Sequence, residues 1–279
     1  MRGITETKLM TYAPPRLIDI GLNLSHSSYN SDREAVLQRS LSAGVMQIII
    51  TGTSLDSSKE AIALAKASPL MLSATAGCHP HHASSLSPEA LLELTDLAKE
   101  QNVVAVGECG LDYHRNFSPQ EAQRRAFESQ INLAIELRKP LFLHERDAHL
   151  DFIKILSAQR AQLPKAVIHC FTGTRAELDA YLELGLWIGI TGWACDERRG
   201  LHLRDLVARI PAGRLMIETD GPYLLPRDLK PKPVSRRNEP IFLPHIAAVL
   251  AKARGEALED FASHTTKTAR DFFNLTSCP

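Results

Sequence analysis

The chain has 279 residues, 44% of them apolar and 23% charged, with 32 Lys plus Arg balancing 32 Asp plus Glu. That composition excludes a disordered or fibrous protein, and the length suits either two small domains or one barrel, which takes roughly 250 residues. A formal net charge of +0 excludes a strong overall field toward a polyanion, so any nucleic acid has to be gripped locally.

Residues 1–15 read as an N-terminal extension without the apolar core of a secretory leader, and residues 16–275 as one barrel domain. With no run of about 18 apolar residues, the expectation is a cytoplasmic protein with no membrane partner, and a monomer. The five cysteines, Cys78, Cys109, Cys170, Cys195 and Cys278, include no C-x-x-C pair, which argues against disulfides and a structural zinc.

Eight short apolar runs follow: "RLIDIGLNL" from Arg16, "VMQIIITG" from Val45, "LMLSATAG" from Leu70, "VVAVGE" from Val103, "PLFLHE" from Pro140, "KAVIHC" from Lys165, "LWIGIT" from Leu186 and "RLMIET" from Arg214. Between them lie amphipathic stretches, of which those beginning at Ser31, Ser87 and Ser118 open with a serine suited to an N-cap. Strands alternating with helices pair in parallel, and eight repeats close into a (β/α)8 TIM-type barrel, the alternative being an open doubly wound sheet. The polar residues favour closure. Asn23, His79, Glu108, His144, His169 and Asp220 sit at or just beyond the ends of six runs, and only a barrel brings those ends to one mouth.

Glu108, His144, His169 and Asp220 form a mixed imidazole and carboxylate set of the kind that holds first-row divalent ions, or Mg2+ through its carboxylates. A strand-end histidine taken singly is usually a hydrogen-bonded core residue, but four such residues converging on one mouth are expected to bind metal. Such an ion lowers the pKa of a bound water and neutralises developing charge, so the expected chemistry is hydrolysis, with Asp220 receiving the water proton. Cys109 and Cys170 each adjoin a ligand on a strand, so both are expected to face away from the mouth. No G-x-S-x-G elbow supports a serine nucleophile.

"GCHPHH" (from Gly77), "VGECGLDYHRNFS" (Val106), "LHERDAH" (Leu143), "IHCFTGTRAEL" (Ile168), "ETDGPYLLPRDL" (Glu218) and "RRNEP" (Arg236) together resemble the TatD family of metal-dependent deoxyribonucleases. The resemblance implies a TIM-type barrel, divalent metal, phosphodiester hydrolysis, and a part in DNA repair or RNA turnover. By position it makes Glu108 a carboxylate shared between two ions, His144 and His169 ligands of one ion, and Asp220 a ligand or base, with Glu108 and Asp220 the catalytic pair. His79 would orient phosphate. Where most of the family carries Asp-x-His-x-His, this chain has Asp19, Gly21 and Asn23, so the second ion is expected to bind loosely or with substrate phosphate, and restoring the pair by Gly21→His with Asn23→His to tighten it. "DIGLNL" and "GWACDERRG" (from Gly192) point to the branch associated with 3'-to-5' exonuclease action on single-stranded DNA and RNA using Mg2+. The two histidines favour Mn2+ or Zn2+ on ligand softness.

Grip on single-stranded DNA or RNA ends is expected from Arg115, Arg146, Arg236 and Arg237, with Arg198, Arg199, Lys230 and Lys232, and from base stacking on Tyr113, Phe171, Trp193 and Tyr223, beside Asn23. Asn238 is expected to cap a helix near Pro240. The alternatives are an aminoacyl-tRNA deacylase or a small-molecule amidohydrolase on the same barrel, since fold alone does not choose the reaction.

Overall fold

The computed structural model describes residues 15–276, so the expected extension lies outside the described residues except for Pro15. Every apolar run forms a strand: β1 (Leu17–Leu22), β2 (Val45–Ile50), β3 (Leu72–Ala76), β4 (Val103–Asp112), β5 (Leu141–Arg146), β6 (Ala166–Ile168), β7 (Trp187–Ile190) and β8 (Leu215–Ile217). Adjacent strands pair in parallel in the order β1 to β8. The sheet closes where the Asn23 amide donates to the Gly221 carbonyl and the Asp220 amide to the Gly21 carbonyl, both at 2.8 Å. That closure decides between the barrel and the open sheet, and the protein is a (β/α)8 barrel.

The helices are α1 (Arg33–Ser42), α2 (Leu55–Ala67), α3 (Pro88–Lys99), α4 (Gln120–Leu137), α5 (His149–Ala158), α6 (Arg175–Glu183), α7 (Leu201–Val207), α8 (Leu243–Arg254) and α9 (Leu258–Phe273). Ser87 caps α3 by accepting from the Ala90 amide, with Pro88 behind it. The other two serine caps are not formed. At α1 the N-cap residue is Asp32, which makes no side-chain cap bond because its carboxylate receives Arg237 and Arg39. Ser118 is buried, accepting from the Ser84 amide and donating to the His81 carbonyl, and α4 starts after Pro119. Asn238 caps nothing either: its Nδ2 donates to the Thr219 carbonyl at 2.8 Å, tying the last loop to the end of β8.

Side chains alternate across each strand. Ile18, Ile20, Ile49, Ala105, Phe142, Val167 and Met216 fill the barrel, and Ala269, Phe272 and Phe273 of α9 pack against them. The outward residues join the surrounding helices in a second, larger cluster. Helix α9 thus plugs the base of the barrel, Thr266 donating to the Arg16 carbonyl just ahead of β1. Phe272 and Phe273 are 2% and 3% exposed, and burying each side chain contributes about 1.5–3 kcal/mol. With its floor sealed and its interior packed, the barrel has one open end for chemistry.

Candidate metal centre

Glu108 is the hub of that end. It is buried on β4, and its Oε1 lies 3.0 Å from His144 Nδ1, 3.4 Å from His79 Nε2 and 3.8 Å from His169 Nε2. His169 Nε2 in turn lies 3.8 Å from Asp220 Oδ1, so the four expected ligands form one connected group with Glu108 between its two sides. Asn23 joins it by donating to Asp220 Oδ1 at 3.0 Å.

Several residues that the strand-end pattern does not single out complete the group. β4 runs past Glu108 to Asp112, whose Oδ2 sits 2.9 Å from His81 Nε2 and 3.4 Å from His144 Nε2. Glu218, fully buried, accepts from His169 Nδ1 at 2.5 Å through Oε2 and from the Cys170 amide at 2.6 Å through Oε1. Its room comes from two glycines: a Cβ on Gly21 would stand 2.3 Å from Oε2, and one on Gly189 2.6 Å from Oε1. Asp19 fixes the neighbouring Thr219 through its amide and hydroxyl, at 3.0 and 2.5 Å.

Cys170 differs from its expectation. β6 stops at Ile168, so strand alternation does not reach it, and a backbone φ of 48° turns the thiol toward Asp220 and His169, their ligand atoms lying within 4.8 Å of one another. Cys109 is buried in the outer cluster, as alternation requires.

The electrostatics call for a cation. Among the described ion pairs no lysine or arginine meets Glu108, Asp112, Glu218 or Asp220; each pairs only with histidine. Burial disfavours charge on His144 and His169, yet the neighbouring Asp112 and Glu108 carboxylates raise His144 to about 9, and the Glu218 and Glu108 charges raise His169 to about 10. Glu108 is held well below the usual carboxylate range by the histidines despite its burial. Burial raises Asp220 to about 7. Protons on the imidazoles balance the carboxylates, and His144 Nε2 is buried without a well-formed hydrogen bond, so imidazole and carboxylate donors stand ready for a divalent ion. Glu218 behind His169 has the place of an outer carboxylate that would orient the imidazole as a ligand.

Two predictions follow from these contacts. Cation uptake has to displace protons from His144 and His169, so affinity for Mn2+ in calorimetric titrations should rise with pH toward 9, by about tenfold per unit for each proton released; a flat profile would remove those histidines from the ligand set. Glu218→Gln should weaken metal binding about 10- to 100-fold, as loss of an outer-shell partner does, with the melting temperature followed in parallel.

The loop residues divide. Tyr223 is 53% exposed, edge-on to His26 at 5.8 Å. Arg115 and Arg236 are exposed, and Arg146 is partly buried. Trp193 is partly buried and carries the Arg199 guanidinium over its ring at 4.4 Å. Three others are occupied within the protein. Arg237 pairs with Asp32 and Glu239, the Tyr113 hydroxyl binds Asp151 and Arg124, and Phe171 is 3% exposed with its edge against Tyr181. These three fix the loops. Phe117, 66% exposed and edge-on to His81 at 4.7 Å, is an open aromatic that the motif reading passes over.

A family profile described as TatD related DNase matches residues 18–274. The chain belongs to the TatD family. It is 53% identical over 259 residues to the 3'-5' ssDNA/RNA exonuclease TatD of Pantoea vagans, covering 93% of this chain and 100% of the relative. The protein of the same name from Pectobacterium parmentieri is 54% identical over the same shares. Among solved structures, a TatD family hydrolase from Entamoeba histolytica superimposes with a TM-score of 0.87 at 30% identity, covering 95% of this chain and 100% of that one. A TatD homologue from Escherichia coli gives 0.85 at 29% identity, over 94% and 99%. TatD membership and the imidazole and carboxylate ring agree on a metal-dependent hydrolase, and no helix among the described residues is long and apolar enough to cross a membrane.

Proposed function

We propose that this chain is a Mg2+-dependent 3'-to-5' exonuclease acting on single-stranded DNA and RNA ends. The observation that carries the reading is the position of Glu108, one carboxylate oxygen facing three imidazoles at the end of the TatD barrel opposite the one that α9 plugs. Relatives more than half identical bear the exonuclease name.

A divalent cation held by Glu108, His144, His169 and Asp220 would activate water and neutralise charge on the phosphoryl oxygens. The protein's own groups supply the rest. Asp220 would accept the water proton, and Asn23 holds its carboxylate in place. His79 accepts the His81 amide at Nδ1, which leaves the proton on Nε2, and burial keeps the ring neutral by lowering its pKa to about 4. The Nε2–H, which lies 3.4 Å from Glu108 Oε1, would be the donor that orients a phosphate oxygen of the scissile group. Arg115, Arg146 and Arg236 supply charge to the backbone, and Tyr223 supplies a face for a terminal base. In this reading the protein works as a monomer in the cytoplasm, and residues 16–275 form the catalytic unit.

The test uses single-stranded oligonucleotides labelled separately at each end, with chelator, Mg2+, Mn2+ and Zn2+ compared. The expected result is stepwise shortening from the 3' end that requires a metal, Mg2+ sufficing. Shortening from the 5' end would overturn the polarity. No cleavage with any ion would transfer the assignment to the deacylase or amidohydrolase alternative, with aminoacyl-tRNA the next substrate.

A further inference from the structure

Two groups among the described residues bring a thiol together with imidazole and carboxylate: Cys195 with Asp228 and His245, and Cys170 with His169 and Asp220. Their surroundings have opposite sign. Asp228 bonds His245 at 2.7 Å and Arg204 at 3.2 Å, and the adjoining Asp196 gathers Arg198, Arg199 and Arg227. Four guanidiniums repel a cation from that group. Around Cys170 the charged neighbours are Asp220, Glu218 and Glu108, which pair only with histidine.

The Cys170 thiol is also positioned without being used. Glu218 holds the Cys170 amide at 2.6 Å, the positive φ aims the side chain inward, and the sulfur's hydrogen-bonding contact is a long one, 3.6 Å to Thr191 Oγ1. Gly21 supplies no ligand, and Asn23 spends its amide N–H on Asp220 and Gly221. The soft donor on this side of the mouth is therefore sulfur, and sulfur selects Zn2+ or Cd2+ over Mg2+.

We propose that Cys170, His169 and Asp220 form a thiophilic cation position at the mouth, which takes Zn2+ or Cd2+ and in doing so withdraws two donors from the hydrolytic ion. As the sulfur–metal bond forms, the thiol proton passes to solvent. The competition with hydrolysis rests on the nuclease reading; the binding does not. A cell with excess zinc would then hold this enzyme in a blocked form that a chelator releases.

The experiment is a Co2+ titration of protein stripped by chelator, without nucleic acid, read by the sulfur-to-cobalt charge-transfer band in the near ultraviolet. The expected band saturates at one Co2+ per chain, is abolished by Zn2+ but not by excess Mg2+, disappears in Cys170→Ser and persists in Cys195→Ser. No band in the wild type overturns the proposal, as does a band lost in Cys195→Ser and kept in Cys170→Ser. Should Cys170→Ser fail to fold, X-ray absorption on the Zn2+-loaded wild type and Cys195→Ser proteins decides: a sulfur neighbour in both supports the site, and its absence from either overturns it. Failure of every ion tried to support cleavage by the wild type would sink the nuclease reading and leave the band unaffected.

Discussion

Glu108→Gln should lower phosphodiester hydrolysis by about a thousandfold or more, equivalent to about 4 kcal/mol of lost transition-state stabilisation, with little change in melting temperature. The amide keeps the shape of the carboxylate, so the packing around β4 survives. It removes the charge that faces His79, His144 and His169, and with it the one donor common to both sides of the ring. His144 and His169 lose one of the carboxylates that hold them protonated, so in the metal-free variant both should release their protons at lower pH than in the wild type, visible in the histidine resonances. Turnover with Mg2+ or Mn2+ and a thermal melt check the two halves. Near-normal turnover would take Glu108 out of the chemistry.

Gly21→Ala should cost about 1–3 kcal/mol of stability by overpacking and lower activity at least tenfold, about the loss that follows removal of a partner oriented behind a ligand. The new methyl would occupy the place of Glu218 Oε2, 2.3 Å away, with His169 Nδ1 and Phe142 the next nearest groups at 3.2 and 3.3 Å. The other Glu218 oxygen lies close to the Gly189 backbone, where a Cβ would stand 2.6 Å away. Displacing Glu218 releases both the His169 ring and the Cys170 amide. Restoring the histidine pair by Gly21→His, Asn23→His meets the same obstacle, so it should fail to tighten the second ion unless Glu218 is shortened as well. Calorimetry of Mn2+ binding to the double variant, with and without Glu218→Ala, checks this; a tighter site with Glu218 intact would show that the carboxylate yields.

The eight strands and the ring of candidate ligands were readable because the strands are short, mostly apolar runs, and four of them carry or lead into Glu108, His144, His169 and Asp220. What stayed hidden follows from places where that pattern breaks. Asp112 lies on the same face as Glu108 by the period of two, but Gly107 and Gly110 make the stretch look like a turn, and the strand seems to end too soon. Glu218 sits inside a recognised motif, yet its partners, Gly21 and Gly189, are side-chain absences that carry no signal until the barrel brings them together. Cys170 escapes the period of two because β6 ends at Ile168 and the backbone turns at Cys170 itself. Tyr113, Phe171 and Arg237 have the right chemistry for gripping a strand; only tertiary contacts show it already committed to Asp151, Tyr181 and Asp32. Opposite charges on Arg237 and Asp32 are separated by most of the chain, so no local rule links them.

Helix α9 gives the barrel a blind end. A nucleic-acid strand cannot be threaded through the molecule, and whatever is cut off has to leave by the doorway through which the rest of the strand came in. Each departing nucleotide therefore crosses the path of the next, so the polymer has to back away before the cycle repeats. The expectation is of short visits, so products from a long strand should form a ladder with many intermediate lengths before any one molecule is consumed.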